Sequence, residues 1–449
     1  MHHIGDVINR HLFVRILTAL AFAGMVWSFA THAQENRVDS IRSDAPELAK
    51  YGQQAVGVRT VKLVNPKQLD ILKAKAGEPT PVYDRPLTVE VWYPARLGVG
   101  QAAAGEYRVI TRDGKTEATL MGKAVRDAQV DPSSGPYPLL IISHGYPGNR
   151  FLLTHLAENL TSKGYVVASI DHTDSTYSDQ GTFGSTLLNR SLDQLFVLNE
   201  MARMTADSSG AFKGMINVDN TGLIGYSMGG YGVVNTIGGG LSATAATSPM
   251  GPPNGVLAQR QAGNAQYLAS MDKRIKAAVA FAPWGWNSGF WDTAGLAGIK
   301  TPVFFVAGGA DDVSGYAPGV RNIFDASVNA HRYLLTYENA NHNAGAPMPA
   351  PRETWVPNPN SKVRAQEHYT DAVWDNVRMN NIAQHFVTAF LGKVLKNDAS
   401  MDAYLNVIEK SKDAKWSAEE NGALKADHTY WKGFARRSAV GLQLEQRKP

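Results

Sequence analysis

Residues 221–232 read "TGLIGYSMGGYG", and the fold turns on how this stretch is parsed. "TGLIG" is a short apolar run of the kind that forms a buried strand, and "GGYGVVNTI" reads as the start of a helix. A strand that turns sharply into a helix around Gly-x-Ser-x-Gly lifts the serine hydroxyl above the carboxyl edge of a sheet. The pattern alone is weak in a chain with 42 glycines among 449 residues. Its strand-to-helix setting is what gives it weight. Gly225 and Gly229 omit side chains where the two backbones crowd, which leaves Ser227 exposed at the turn. The first N–H groups of the new helix lie beside it and can stabilise charge on a carbonyl oxygen under attack, Met228 being the first such donor.

The flanking sequence repeats the same rhythm. Leu87–Ala95, "LTVEVWYPA", alternates like a half-buried strand. "PLLIIS" is then followed by a helix with Leu152, Leu156 and Leu160 on one face, "YVVASI", and a second helix marked by Leu192, Leu195 and Leu198. "KAAVAFA", "TPVFFVAG" and "RYLLTYEN" supply further short apolar strands, and residues 369–396 have the spacing of a closing helix. Strands alternating with helices predict an α/β class, a mostly parallel central sheet with helices on both faces. Residues 96–136 show no clear period and read as an excursion. Residues 238–271, rich in Gly, Pro, Ala and Ser, read as a cap-like insertion over a binding cleft. Residues 397–449 read as a C-terminal appendage to a catalytic domain spanning 34–396.

A serine at neutral pH needs a base to take its proton and a carboxylate to orient that base. In this architecture the chain order is Ser, then acid, then His, each on a loop after a strand. "TPVFFVAGGADDVSG" places Asp311 and Asp312 after a strand; Asp311 is the expected acid and Asp312 a solvated or capping neighbour. His342 follows the next strand in "RYLLTYENANHNAG" and is the expected base. "ISHGYPGNR" ends a strand at the same sheet edge, so the Tyr146 N–H is the second expected oxyanion donor, with His144 structural. The remaining histidines, among them His155, His172 and His368, lack this order and loop context. Asp171, His172 and Asp174 in "DHTDST" lack a further partner at metal-binding spacing, so no metal and no cofactor are expected.

Composition narrows the class further. With 44% hydrophobic and 19% charged residues the chain can bury an ordinary globular core. A net charge of +4 without any basic run gives no footprint for nucleic acid or a polybasic membrane patch. Arg10 and Arg15 before the apolar run from Ile16 to Ala30, with small residues at Thr31 and Ala33, predict a signal peptide over 1–33, hence a periplasmic or secreted protein not held at the membrane after cleavage. The absence of cysteine removes every thiol mechanism.

Taken together, the motifs between Leu87 and Leu391 resemble the α/β-hydrolase superfamily. "SHGYPGNR" and "YVVASIDHTDS" are similar to platelet-activating-factor acetylhydrolases, while "GYSMGG", "APWGW" and the Asp311-to-His342 segment are similar to cutinase-type polyester hydrolases; dienelactone hydrolase-like proteins share the general pattern. Two departures matter. The dienelactone enzymes use a cysteine nucleophile, and the acetylhydrolases carry their acid where this chain has Ala282 and Pro283, which moves the acid to Asp311. In polyester hydrolases a tryptophan flanks the scissile ester, and the resemblance gives Trp284 that role. It implies an exported serine hydrolase acting on a small carboxylic ester through an acyl-enzyme. A lipase or acetylhydrolase-type esterase and a non-catalytic periplasmic binding protein are the other readings.

Overall fold

Alternating apolar side chains in the strands divide the interior between two faces of one sheet. The structure, a computed structural model, describes residues 35–357, 359 and 364–449; the expected signal peptide over 1–33 lies outside the described residues. The main strands are β1 (Ala55–Leu69), β2 (Val82–Arg96), β3 (Tyr137–Ser143), β4 (Val166–Asp171), β5 (Ile216–Tyr226), β6 (Ile275–Phe281), β7 (Val303–Gly308), β8 (Arg332–Tyr337) and β9 (Leu442–Arg447). Their spatial order is β9-β8-β7-β6-β5-β3-β4-β2-β1. The six strands from β3 to β8 run parallel, while β1, β2 and β9 pair antiparallel at the two ends.

The long helices are α1 (Thr154–Ser162), α2 (Phe183–Ala206), α3 (Met228–Thr236) and α4 (Asn376–Leu395). Leu140 and Ile142 of β3 pack on the side of α1 and α4. Leu139 and Ile141 of the same strand pack on the side of α2 and α3. Period-two alternation in a strand buried on both faces requires this split, and it explains the unbroken apolar run "LLII" over 139–142.

Several segments differ from their sequence reading. Strand β2 does not alternate, because its second face is covered by the hairpin Gly105–Ile110/Glu117–Gly122. Trp92 of β2 donates to the Tyr107 hydroxyl of that hairpin at 2.8 Å, and Tyr107 donates to the buried Glu158 of α1 at 2.5 Å. The excursion over 96–136 therefore covers one face of the sheet at its β1–β2 end. Helix α4 begins only at Asn376, because the Asp375 side chain caps the Arg378 N–H and ends the preceding turn; Val373 is left exposed.

Residues 397–449, expected as an appendage, complete the sheet and the core. Strand β9 pairs along β8 from Arg332↔Arg447 to Tyr337↔Leu442. Trp431 and Phe434 pack on Phe386 of α4, with ring centroids 5.7 Å away in each case. Residues 238–271 lie along the flank of α2 and α3: a Cβ on Gly184 would meet Pro252, and Tyr267 donates its hydroxyl to the Asn235 carbonyl at 2.5 Å. No helix among the described residues is long and apolar enough to cross a membrane.

Candidate active site

Ser227 sits between β5 and α3 with φ 54° and ψ −114°, a backbone conformation that L-residues rarely adopt and that costs about 1–3 kcal/mol. The surroundings hold it there. Its N–H donates to Phe281 O at 2.9 Å and its carbonyl accepts from the Trp284 N–H at 3.3 Å, which stitches the turn to the end of β6. Gly229 is required by close approach, since a Cβ there would fall 1.9 Å from the Ser143 carbonyl oxygen. At Gly225 a Cβ would meet the Gly229 carbonyl oxygen at 2.2 Å. The two glycines thus have the crowding role that the motif suggests.

Ser227, His342, Tyr146 and Gly145 line one cavity of about 390 Å³, together with Arg112, Asp312, Asn341, Asn343, Glu367 and His368. The position at the carboxyl ends of parallel strands is where open α/β sheets bind ligands. His342 Nδ1 lies 3.0 Å from both carboxylate oxygens of Asp311. Asp311 Oδ1 also accepts the N–H groups of Val313 at 2.9 Å and Ser314 at 2.8 Å. Burial pushes the Asp311 carboxyl up, but the His342 contact and the two N–H donors outweigh it and hold the group below the usual carboxylate range. Asp312 is exposed at the cavity edge and makes no comparable contact with His342.

Residues that sequence reasoning did not single out tie the two loops together. The Tyr226 hydroxyl, one residue before Ser227, donates to Asn343 Oδ1 at 2.9 Å, and its ring lies 5.3 Å from the His342 ring. Asn343 donates to the carbonyls of Glu367 and Thr370, while Asp371 accepts the Asn341 N–H at 2.6 Å. No period or motif announces these residues; their roles follow from loops that meet only in the folded chain. His368, grouped from sequence with the surface and core histidines, lines the cavity, and burial, Arg112 and His342 push its imidazole down to about 3. It does not contact Asp311, which leaves His342 as the carboxylate-supported imidazole of this cavity.

Met228 is the first residue of α3, a position whose N–H has no intrahelical acceptor. Gly145 faces the serine, for a Cβ on it would stand 3.5 Å from Ser227 Cβ, and Tyr146 lines the same cavity. The Trp284 ring is half-buried and does not line the cavity wall. It joins an aromatic chain, 5.5 Å from Phe183, which lies 5.2 Å from the cavity-lining Tyr146. Residues 238–271 contribute nothing to the cavity lining; Arg112 of the 105–122 hairpin and the turn at Glu367–His368 do so instead.

A second Ser-His-Asp set lies nearby. Ser143 Oγ is 2.8 Å from His172 Nε2, and His172 Nδ1 is 2.9 Å from Asp193 Oδ2. It is fully buried, and Arg85 engages both Asp193 oxygens at 2.9 and 3.0 Å. With Ser143 shut off from solvent, this set braces the sheet. It also engages His172, while Asp171 pairs with Arg150 and Asp174 with Arg85. No cluster of three or more His, Asp or Glu residues able to hold a metal occurs among the described residues.

Comparison with known proteins agrees with this architecture. A family described as platelet-activating factor acetylhydrolase, isoform II, matches residues 79–191. The cutinase est1 of Thermobifida alba is 25% identical over 211 residues, 46% of this chain and 54% of that protein. A putative phospholipase A2 of Schizosaccharomyces pombe is 29% identical over 93 residues, 20% of this chain and 21% of that one. The chain spans about half the length of the cutinases it matches. A ferulic acid esterase from Streptomyces cinnamoneus superposes with a TM-score of 0.54 at 21% identity, covering 80% of this chain and 96% of that one. The fold is that of the α/β-hydrolases, and the matches point to a serine esterase family within it.

Proposed function

We propose that this protein hydrolyses carboxylic esters through an acyl-enzyme formed on Ser227. The observation that carries the proposal is His342, held at Nδ1 3.0 Å from Asp311 and lining the same cavity that Ser227 enters from a strained turn. The names of the relatives, cutinase and ferulic acid esterase among them, support the same reading.

With Asp311 accepting from Nδ1–H, the His342 Nε2 lone pair is the free base. It takes the Ser227 proton as Oγ attacks the ester carbonyl, and Asp311 stabilises the imidazolium that forms. The oxyanion is held by the N–H groups of Met228 and Tyr146. His342 then gives its proton to the departing alkoxide, and the cycle repeats with water to release the acid. These steps use only the chain's own side chains.

The cavity's polar edge, from Arg112, Asp312, Asn341 and Glu367, suits a small soluble ester better than a polymer surface or a long acyl chain. Trp284 would meet an acyl or aryl group at that aromatic chain. The leader read over 1–33 supports export to the periplasm or beyond.

The test is hydrolysis of p-nitrophenyl esters from acetate to palmitate by wild type and Ser227→Ala. Turnover of short chains with a loss of about 10³-fold or more in the variant supports the proposal. A rise toward palmitate would favour a lipase-type enzyme, and equal inactivity of both proteins, with no reaction toward a fluorophosphonate, would favour a binding protein on this fold.

A further inference from the structure

We propose that Arg190 is a positioning residue of the oxyanion hole, holding the Gly145–Tyr146 peptide so that its N–H faces Ser227; this rests on the ester-hydrolase reading above. Arg190 projects from α2 and is fully buried. One end of its guanidinium donates to the His144 carbonyl. The other donates to the Gly145 carbonyl at 2.8 Å and to Ser175 Oγ at 2.6 Å. The Gly145 oxygen is also 2.6 Å from His144 Nδ1, while His144 Nε2 accepts the His172 N–H at 3.3 Å. That pattern assigns a neutral His144 with its proton on Nδ1, so the Gly145 carbonyl receives two donors.

A trans peptide is planar with its C=O and N–H pointing in opposite directions. Pinning the Gly145 oxygen toward α2 therefore turns the Tyr146 N–H the other way, toward the side where Gly145 faces Ser227. Among the described residues that N–H has no backbone acceptor. A cationic donor on the carbonyl end also polarises the amide, which makes its N–H a stronger donor to a developing oxyanion.

A packing role alone does not account for this residue. No carboxylate bonds Arg190; the closest acid along α2, Asp193, is held by Arg85 and His172. A guanidinium buried among neutral partners is costly, and its hydrogen bonds converge on the two carbonyls of the turn that carries Tyr146.

The experiment compares Arg190→Met, near in size but unable to bond, and Arg190→Lys, which keeps charge and one contact. A trifluoromethyl ketone that forms a hemiketal oxyanion on Ser227 is measured beside the matching alcohol, which cannot. Losing one oxyanion donor costs about 10²–10³ in kcat. Arg190→Met is expected to lose about 10²-fold in kcat and the same factor in ketone affinity, with KM and alcohol affinity within about 3-fold; Arg190→Lys is expected to lie between it and wild type. A merely structural role would weaken both ligands together.

Should Arg190→Met not fold, Arg190→Lys carries the test by the same ketone-against-alcohol split. Variants that fold and bind the ketone as wild type does, or that weaken ketone and alcohol equally, overturn the inference. If wild type itself neither hydrolyses esters nor captures the ketone, the ester-hydrolase reading has failed first.

Discussion

Replacing Asp311 by Asn tests the geometry at its most exposed joint. The Asp311 Oδ1 position faces two backbone donors, the N–H groups of Val313 and Ser314 at 2.9 and 2.8 Å. An amide NH2 placed there would oppose both, so the Asn carbonyl takes that position and its NH2 takes the place of Oδ2, 3.0 Å from His342 Nδ1. The NH2 opposes an Nδ1–H, and when it donates to Nδ1 instead the imidazole proton moves to Nε2 and leaves no lone pair for the serine. The productive tautomer keeps only the Oδ1 acceptor, also 3.0 Å away and already shared with two N–H groups. The wrong tautomer and the lost countercharge together cost roughly 10³–10⁴ in kcat, or about 4–5.5 kcal/mol of transition-state stabilisation. KM should change little, since Asp311 does not line the cavity. The assay is steady-state hydrolysis of p-nitrophenyl butyrate by Asp311→Asn and, as control, by the exposed neighbour in Asp312→Asn. The control should stay within about 3-fold of wild type. A folded Asp311→Asn that retains a tenth of wild-type kcat, or an Asp312→Asn with the larger loss, refutes the reasoning.

Other perturbations have equally definite outcomes. Tyr226→Phe strands the buried Asn343 oxygen that the hydroxyl now serves, so urea unfolding should show a loss of about 1–3 kcal/mol; unchanged stability would mean that the link between the two loops is idle. Gly229→Ala drives a Cβ onto the Ser143 carbonyl oxygen at 1.9 Å, backbone against side chain with nothing flexible to yield, and should cost more than about 2 kcal/mol in the same assay or abolish folding. Acid stability should be poor: burial pushes His155, His368 and His385 down to about 3 and His172 down to about 4. Below pH ~6.5 the unfolded chain takes up protons that these folded imidazoles refuse, so stability falls with pH, by up to about 1.4 kcal/mol per histidine per pH unit until the folded values are reached. Urea midpoints that stay flat from pH 7 to 5 would contradict this.

Much of the architecture is legible in the sequence because its strands are short, apolar and separated by helices of clear period. "PLLIIS", "KAAVAFA" and "TPVFFVAG" each form the strand they suggest, in a mostly parallel sheet. Ser227, Asp311 and His342 stand out because each follows a strand in the order that a sheet edge imposes. What sequence hides is the orientation of polar residues inside helices. Leu192, Leu195 and Leu198 suggest one face of α2, yet the helix turns Arg190, Asp193 and Gln194 inward as well, where two carbonyls and Ser175 accept from the terminal nitrogens of Arg190 and where His172 and Arg85 engage Asp193. Hydrophobic period has no means of showing a buried charge whose partners lie on other elements.

The cavity walls were equally hidden. Arg112 reaches the site from a hairpin without clear periodicity, and Glu367 and His368 from a turn preceding α4, while the Gly-rich 238–271 segment lies along α2 and α3. The C-terminal residues show no strand signal strong enough to place β9, since "LQLEQR" gains its order from pairing with β8. Its aromatic neighbours needed burial, and α4 supplies it.

The most direct test of the central claim is the site of covalent capture. Wild-type protein treated with a fluorophosphonate should gain one adduct per chain by intact mass, the adduct should map by peptide sequencing to Ser227, and Asp311→Asn should react more slowly by about the factor it loses in kcat. An adduct on any other serine, or none at a concentration that labels serine esterases to completion, would contradict the account.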